Sequence, residues 1–187
     1  MDASELNEPE EIKQEAEKLQ LDQDKLDRYL FNLRSEQNLP LGILACVVTA
    51  LAGGIVWALI TVATKYQIGY MAVAVGFLVG YANRYFGKGI DKIHGIIGAV
   101  FALLGCILGN LFSTAGFASE QESVGLMTVL GTLFSNFSMI TSILKETFQP
   151  MDVLFYGIAI YEGYRFSFRE ITEEEIIANA KADTPSV

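Results

Sequence analysis

From Leu41 to Thr64 the chain carries no charged residue. A run of that length matches the roughly 20 apolar residues that a helix needs to cross a bilayer's hydrocarbon core. Lipid offers the backbone no water to bond, so a spanning segment must be a helix or part of a closed barrel. Two further apolar runs follow as a hairpin, Gln67 to Asn110. The first, about Gly69 to Tyr85, is free of charge between Tyr70 and Asn83, and the second, about Gly95 to Phe112, has none. A fourth run, Met151 to Phe168, is short but long enough to cross. These spans, 41–64, 69–85, 95–112 and 151–168, predict an all-α membrane protein with four transmembrane helices.

Charge placement predicts the orientation. Arg84, Lys88 and Lys92 surround Asp91 in the hairpin turn, and short loops rich in Lys and Arg stay on the cytoplasmic side. The turn at Lys65 to Gln67 and the acidic, polar loop expected over Ser113 to Ser123 then face outward. Arg165 and Arg169 return the chain inside, so both termini are expected in the cytoplasm of a cell with an inner membrane. Val124 to Leu144 has the length of a crossing, yet Thr128, Thr132, Ser135, Asn136, Ser138, Thr141 and Ser142 recur at helical spacing. One apolar and one polar face predict an interfacial amphipathic helix on the outer side. A true crossing is the alternative, with Met151 to Phe168 then lying along the inner surface.

Of the 187 residues 51% are hydrophobic, and these are pooled between Leu39 and Phe168. One membrane domain, 39–168, is therefore expected between a polar segment, 1–38, and a polar tail, 169–187. The net charge of −9 falls mostly in those ends and leaves no basic face for nucleic acid. Cys46 and Cys106 lie inside apolar spans, where a lone cysteine acts as a small hydrophobe.

Residues 1–38 hold eleven acidic and five basic side chains. Asn7 ahead of Glu8 and Pro9 suits a helix start. Ile12, Ala16, Leu19, Gln23, Leu26, Leu30 and Leu33 then step by four and three, a heptad seam with one polar interruption. A cytoplasmic amphipathic helix on the protein or membrane accounts for it, and so does a short coiled coil that makes the chain a homo-oligomer through 12–33.

Within the spans, Gly76 with Gly80 and Gly105 with Gly109 form GxxxG pairs, and Gly53-Gly54 sits in a small-residue patch. Such glycines let helix backbones approach closely. Packing within the chain, a dimer face or a cavity wall are the available readings. Glu162 is the acidic residue expected inside the membrane, a functional candidate by its position. Arg165 lies three residues on, so an interfacial ion pair competes with a proton or ion relay toward Arg84, Asn83 or Tyr81. His94 is the only histidine and reads as an interfacial side chain. With it alone there is no Ser–His pair, no HExxH and no cluster at metal-ligand spacing, and neither a P-loop nor a dinucleotide fingerprint occurs. No catalytic, cofactor-binding or metal residue is expected, and no enzyme.

The hairpin, with EQNLPLGI before it and DVLFYGIAIYEGYRFSF after it, resembles a group of small bacterial multi-span membrane proteins with a variable hydrophilic N-terminus. The resemblance covers about Leu33 to Phe168 and transfers no functional residues. It implies that the acidic N-terminal helix is this member's own attachment. The expected function is that of a structural or scaffolding component of the inner membrane that binds partners or copies of itself. A small channel or transporter using Glu162, and an accessory subunit of a larger complex, are the alternatives.

Overall fold

The computed structural model describes residues 23–66, 69–172 and 174–176. The seam positions Ile12, Ala16 and Leu19 and the Asn7 cap lie outside them. The chain divides into a unit made of 1–36 with 170–187 and a unit spanning Gln37–Arg169. In the first, α1 is helical over 23–35, with Gln23 exposed, Leu26 and Leu30 half-buried and Leu33 buried. There Tyr29 Oη donates to Glu175 Oε2 at 3.4 Å.

The second unit consists of α2 (Leu39–Thr64), α3 (Tyr70–Gly87), α4 (Lys92–Glu122), α5 (Leu126–Ser135), α6 (Phe137–Thr147) and α7 (Pro150–Arg165). No strand occurs among the described residues. Among the described residues two helices, α2 and α4, are long and apolar enough to cross a membrane, or up to three if α5 and α6 count as one bent span. The chain is thus a membrane protein with two to three clear spans. The four-span expectation is not met on length and apolarity alone. α3 carries Asn83 and Arg84 in its final turns, and α7 has only 16 residues, about 24 Å at 1.5 Å per residue.

Each helix starts and stops for local reasons. Asn38 caps α2 by accepting from the Leu41 amide at 3.0 Å, with Pro40 in the first turn. Gln149 and Asp152 form a reciprocal capping box at α7, again followed by a proline. Asn38→Ala should cost about 1 kcal/mol, since the Asn38 amide keeps its bond to the Gly87 carbonyl. Thermal unfolding in detergent would record this as a fall of roughly 2–4 °C in Tm; an unchanged Tm would mean the cap contributes nothing.

The polar loop expected over Ser113 to Ser123 is instead helix, continuous with α4 up to Glu122. Ser113 and Thr114 bond back to the carbonyls of Gly109 and Asn110 at 2.7 and 3.0 Å. That back-bonding lets hydroxyl side chains stay in a helix interior. The single amphipathic helix expected over Val124 to Leu144 is two, meeting at 104° around Asn136, and the second runs on to Thr147. Leu133 is buried against Leu111 and Ala115, and Ile140, Ile143 and Leu144 join the same cluster. A straight helix would separate Leu133 and Leu144 by about 16 Å, more than the roughly 12 Å spanned by Ile107, Leu111 and Ala115 on α4. The bend brings both to it.

Neighbouring residues give the directions of the four bundle helices. Gly42 lies by Gly87 and His94, Gly54 by Gly105 and Gly109, and Gly116 by Val62, so α2 and α4 run the same way. Gly69 meets Phe155, Gly76 meets Ala159 and Gly80 meets Gly163, so α3 and α7 run together in the opposite sense. α3 and α4 touch each other and both outer helices, while α5 and α6 rest on α4.

Candidate functional site

The six glycines singled out in the sequence all meet helices of this same chain. A methyl on Gly76 would lie 2.5 Å from the Ala159 carbonyl oxygen and 2.6 Å from its Cα. On Gly80 it would meet Phe166 Cβ at 2.9 Å, and on Gly109 the Trp57 ring at 2.7 Å. Gly105 and Gly53 both seat Val75, at 2.7 and 3.1 Å, and Gly54 faces the Gly109 amide at 3.3 Å. The GxxxG faces are therefore filled from within the chain.

The tightest approach involves residues that strict GxxxG matching passes over. Gly98 of α4 lies against the Gly163 carbonyl and Ser167 Oγ of the α7 end. From the other side, a methyl on Gly163 would meet the Gly98 carbonyl oxygen at 2.6 Å. The signal was present as a stripe, because Gly95, Gly98, Ala102, Gly105 and Gly109 recur at spacings of three and four.

At the end of the bundle that carries the α3–α4 turn, Gly42, Gly87 and Gly89 pack around buried polar groups. Asn83 and His94 are 0% and 1% exposed, where the sequence predicted an interfacial histidine. Asn83 Nδ2 donates to the His94 carbonyl at 2.7 Å, which turns its Oδ1 toward His94 Nδ1, 3.3 Å away. An amide oxygen only accepts, so this arrangement calls for the imidazole tautomer with its proton on Nδ1. Gln37 Oε1 accepts from the Ile90 and Asp91 amides at 2.9 and 3.1 Å, and its Nε2 donates to Asp91 Oδ2 at 2.8 Å. The amides of Asn38 and Arg169 donate to the carbonyls of Gly87 and Gly89 at 2.9 and 2.8 Å. The turn is tied to the start of α2 and the end of α7 by main-chain bonds.

Glu162 and Arg165 are not brought together. Arg165 Nη1 donates to Tyr161 Oη one turn back at 2.9 Å. Glu162 is half-buried, and its Oε2 is enclosed without a hydrogen-bond partner. Asn83, one relay candidate, is taken up by His94. Farther along the bundle Asn110 Nδ2 donates to Tyr156 Oη, and Tyr156 Oη reaches the Cys106 carbonyl at 3.5 Å. Both cysteines are buried and free. Among the described residues no three His, Cys, Asp or Glu side chains gather as a metal site would need.

Asn83 and Gln37 spend most of their hydrogen bonds on main-chain carbonyls and amides, whereas Glu162 Oε2 has no partner. No protein-family model matches the chain, and neither does any curated protein or solved structure.

Proposed function

We propose that this chain is an integral inner-membrane protein whose α2, α3, α4 and α7 each cross the bilayer. In this reading α5 and α6 lie at its outer face, both termini are cytoplasmic, and the protein is a structural or interaction component rather than a conduit. The observation that carries this is backbone contact at the bundle centre, Gly76 on Ala159 and Gly98 on Gly163. Helices touching main chain to main chain leave no lumen for a hydrated ion. The orientation is supported by the meeting of Asn38, Gly87, Gly89 and Arg169 at one end, the end that also holds Arg84, Lys88, Lys92 and Arg165.

The unpartnered Glu162 oxygen favours one competing reading, a small channel or transporter. Proton and cation flux into proteoliposomes decides between them. Wild type and Glu162→Gln should both match protein-free vesicles. A wild-type flux that Glu162→Gln abolishes would replace this proposal with the transport reading. An accessory role would appear as a stoichiometric partner retained in mild detergent.

A further inference from the structure

A groove of about 450 Å³ opens between the second halves of α2 and α4 and the start of α5. Its walls come from Ile55, Leu59 and Val62, from Phe112, and from Met127, and Met127 is 79% exposed at its rim. Polarity is confined to one end, where Ser119 and Glu120 close the lining. Glu120 pairs there with Lys65, each side chain more than half exposed. The Lys65 ammonium also stands 5.5 Å over the Phe117 ring.

An apolar slot with a cation and an anion side by side at its mouth matches an amphiphile with one hydrocarbon chain to bury and a headgroup of both signs. The geometry points to a phospholipid with a primary-amine zwitterionic headgroup as the occupant, its acyl chain in the groove. Its phosphate would face Lys65 and its ammonium Glu120. An exposed ion pair is weak and exchanges partners readily, so the headgroup inserts between the two side chains and restores both contacts. A quaternary choline has no N–H to donate to Glu120, and a purely anionic headgroup sets like charge against it. A partner helix is a poorer fit. With side chains it is about 10 Å across, so the groove volume holds about one turn of it.

The test uses the full-length chain in nanodiscs with equal parts of phosphatidylethanolamine, phosphatidylcholine and phosphatidylglycerol of matched acyl chains. Lipid retained after transfer to detergent is identified by native mass spectrometry. Phosphatidylethanolamine should be retained several-fold over either competitor, and Glu120→Lys should shift the preference to phosphatidylglycerol. Ala58→Phe, which fills the groove, should lower retention of all three several-fold. Equal retention of the three lipids, a preference indifferent to Glu120→Lys, or a peptide in place of lipid would overturn the assignment. Should Ala58→Phe fail to fold, the exposed Glu120→Lys variant decides alone. Flux measurements on Glu162 bear on neither outcome.

Discussion

Replacing Gly76 by alanine should destabilise the bundle by about 2–3 kcal/mol, the upper part of the range for overpacking a filled core. The added methyl has nowhere to go. It would lie within 2.9 Å of three main-chain atoms of Ala159, and backbone cannot rotate aside as a side chain can. α3 and α7 must separate, and the contacts beside that point, Phe77 on Phe166 at 4.9 Å between ring centroids and Tyr70 on Phe155 at 5.4 Å, loosen with them. Gly157 is the control, because it sits on α7, the helix that Gly76 of α3 packs against, with nothing within 4 Å of an added methyl. Gly157→Ala should stabilise by up to about 1 kcal/mol through helix propensity. Thermal melts in one detergent should therefore move in opposite directions, by roughly 2–4 °C per kcal/mol. If both variants melt together, close packing at Gly76 is not what holds α7.

Asn83→Leu should cost about 1–3 kcal/mol. The side chain is nearly isosteric, but it leaves His94 Nδ1 buried without its partner and removes the second donor to the His94 carbonyl, which keeps its helical bond within α4; one unmet buried group costs about 1–3 kcal/mol. Asn83→Asp separates this from a volume effect. It keeps the shape but places an acceptor where the amide donated to the His94 carbonyl, so it should be about as damaging as leucine. The chain has one tryptophan, Trp57, packed on Gly109 and 1% exposed, so its fluorescence follows unfolding of the bundle. Midpoints like wild type for both variants would mean that the Asn83–His94 pair does not stabilise the fold.

These two sites show how differently the sequence exposed its information. Gly76 was legible because a GxxxG spacing places two glycines on one helix face, and only close approach gives such a face a use. What it approaches was not legible, since Ala159 is distant in sequence and carries no motif. Asn83 and His94 looked like two polar residues near a charged turn, which hydropathy assigns to the interface. Their burial depends on Gly42, Gly87 and Gly89 making room around them, a fact about three segments at once. Glu162 stood out as an acid within an apolar run. Its separation from Arg165 turned on rotamers that spacing does not encode, because Tyr161 at i−4 offers Arg165 a hydroxyl on the exposed face.

The two misplaced boundaries have different causes. Ser113 and Thr114 read as loop because hydroxyls are poor helix formers, yet each returns its hydrogen to a carbonyl four residues back. Val124 to Leu144 read as one helix because its polar residues keep a helical period. The break at Asn136 comes from the target, a short apolar patch on α4 that both halves must reach.

The sequence by itself determined that this is a helical membrane protein. Uncharged runs such as Leu41 to Thr64 are too long for a barrel strand of about 9–11 residues and so cross lipid as helices, and that constraint is local to each run. Only the tertiary structure decided which helices touch, where α5 turns into α6, and that α2, α4 and α5 leave an apolar groove closed by Ser119 and Glu120. Those are properties of surfaces brought together from distant parts of the chain, and each depends on the shape of its partner as much as on its own residues.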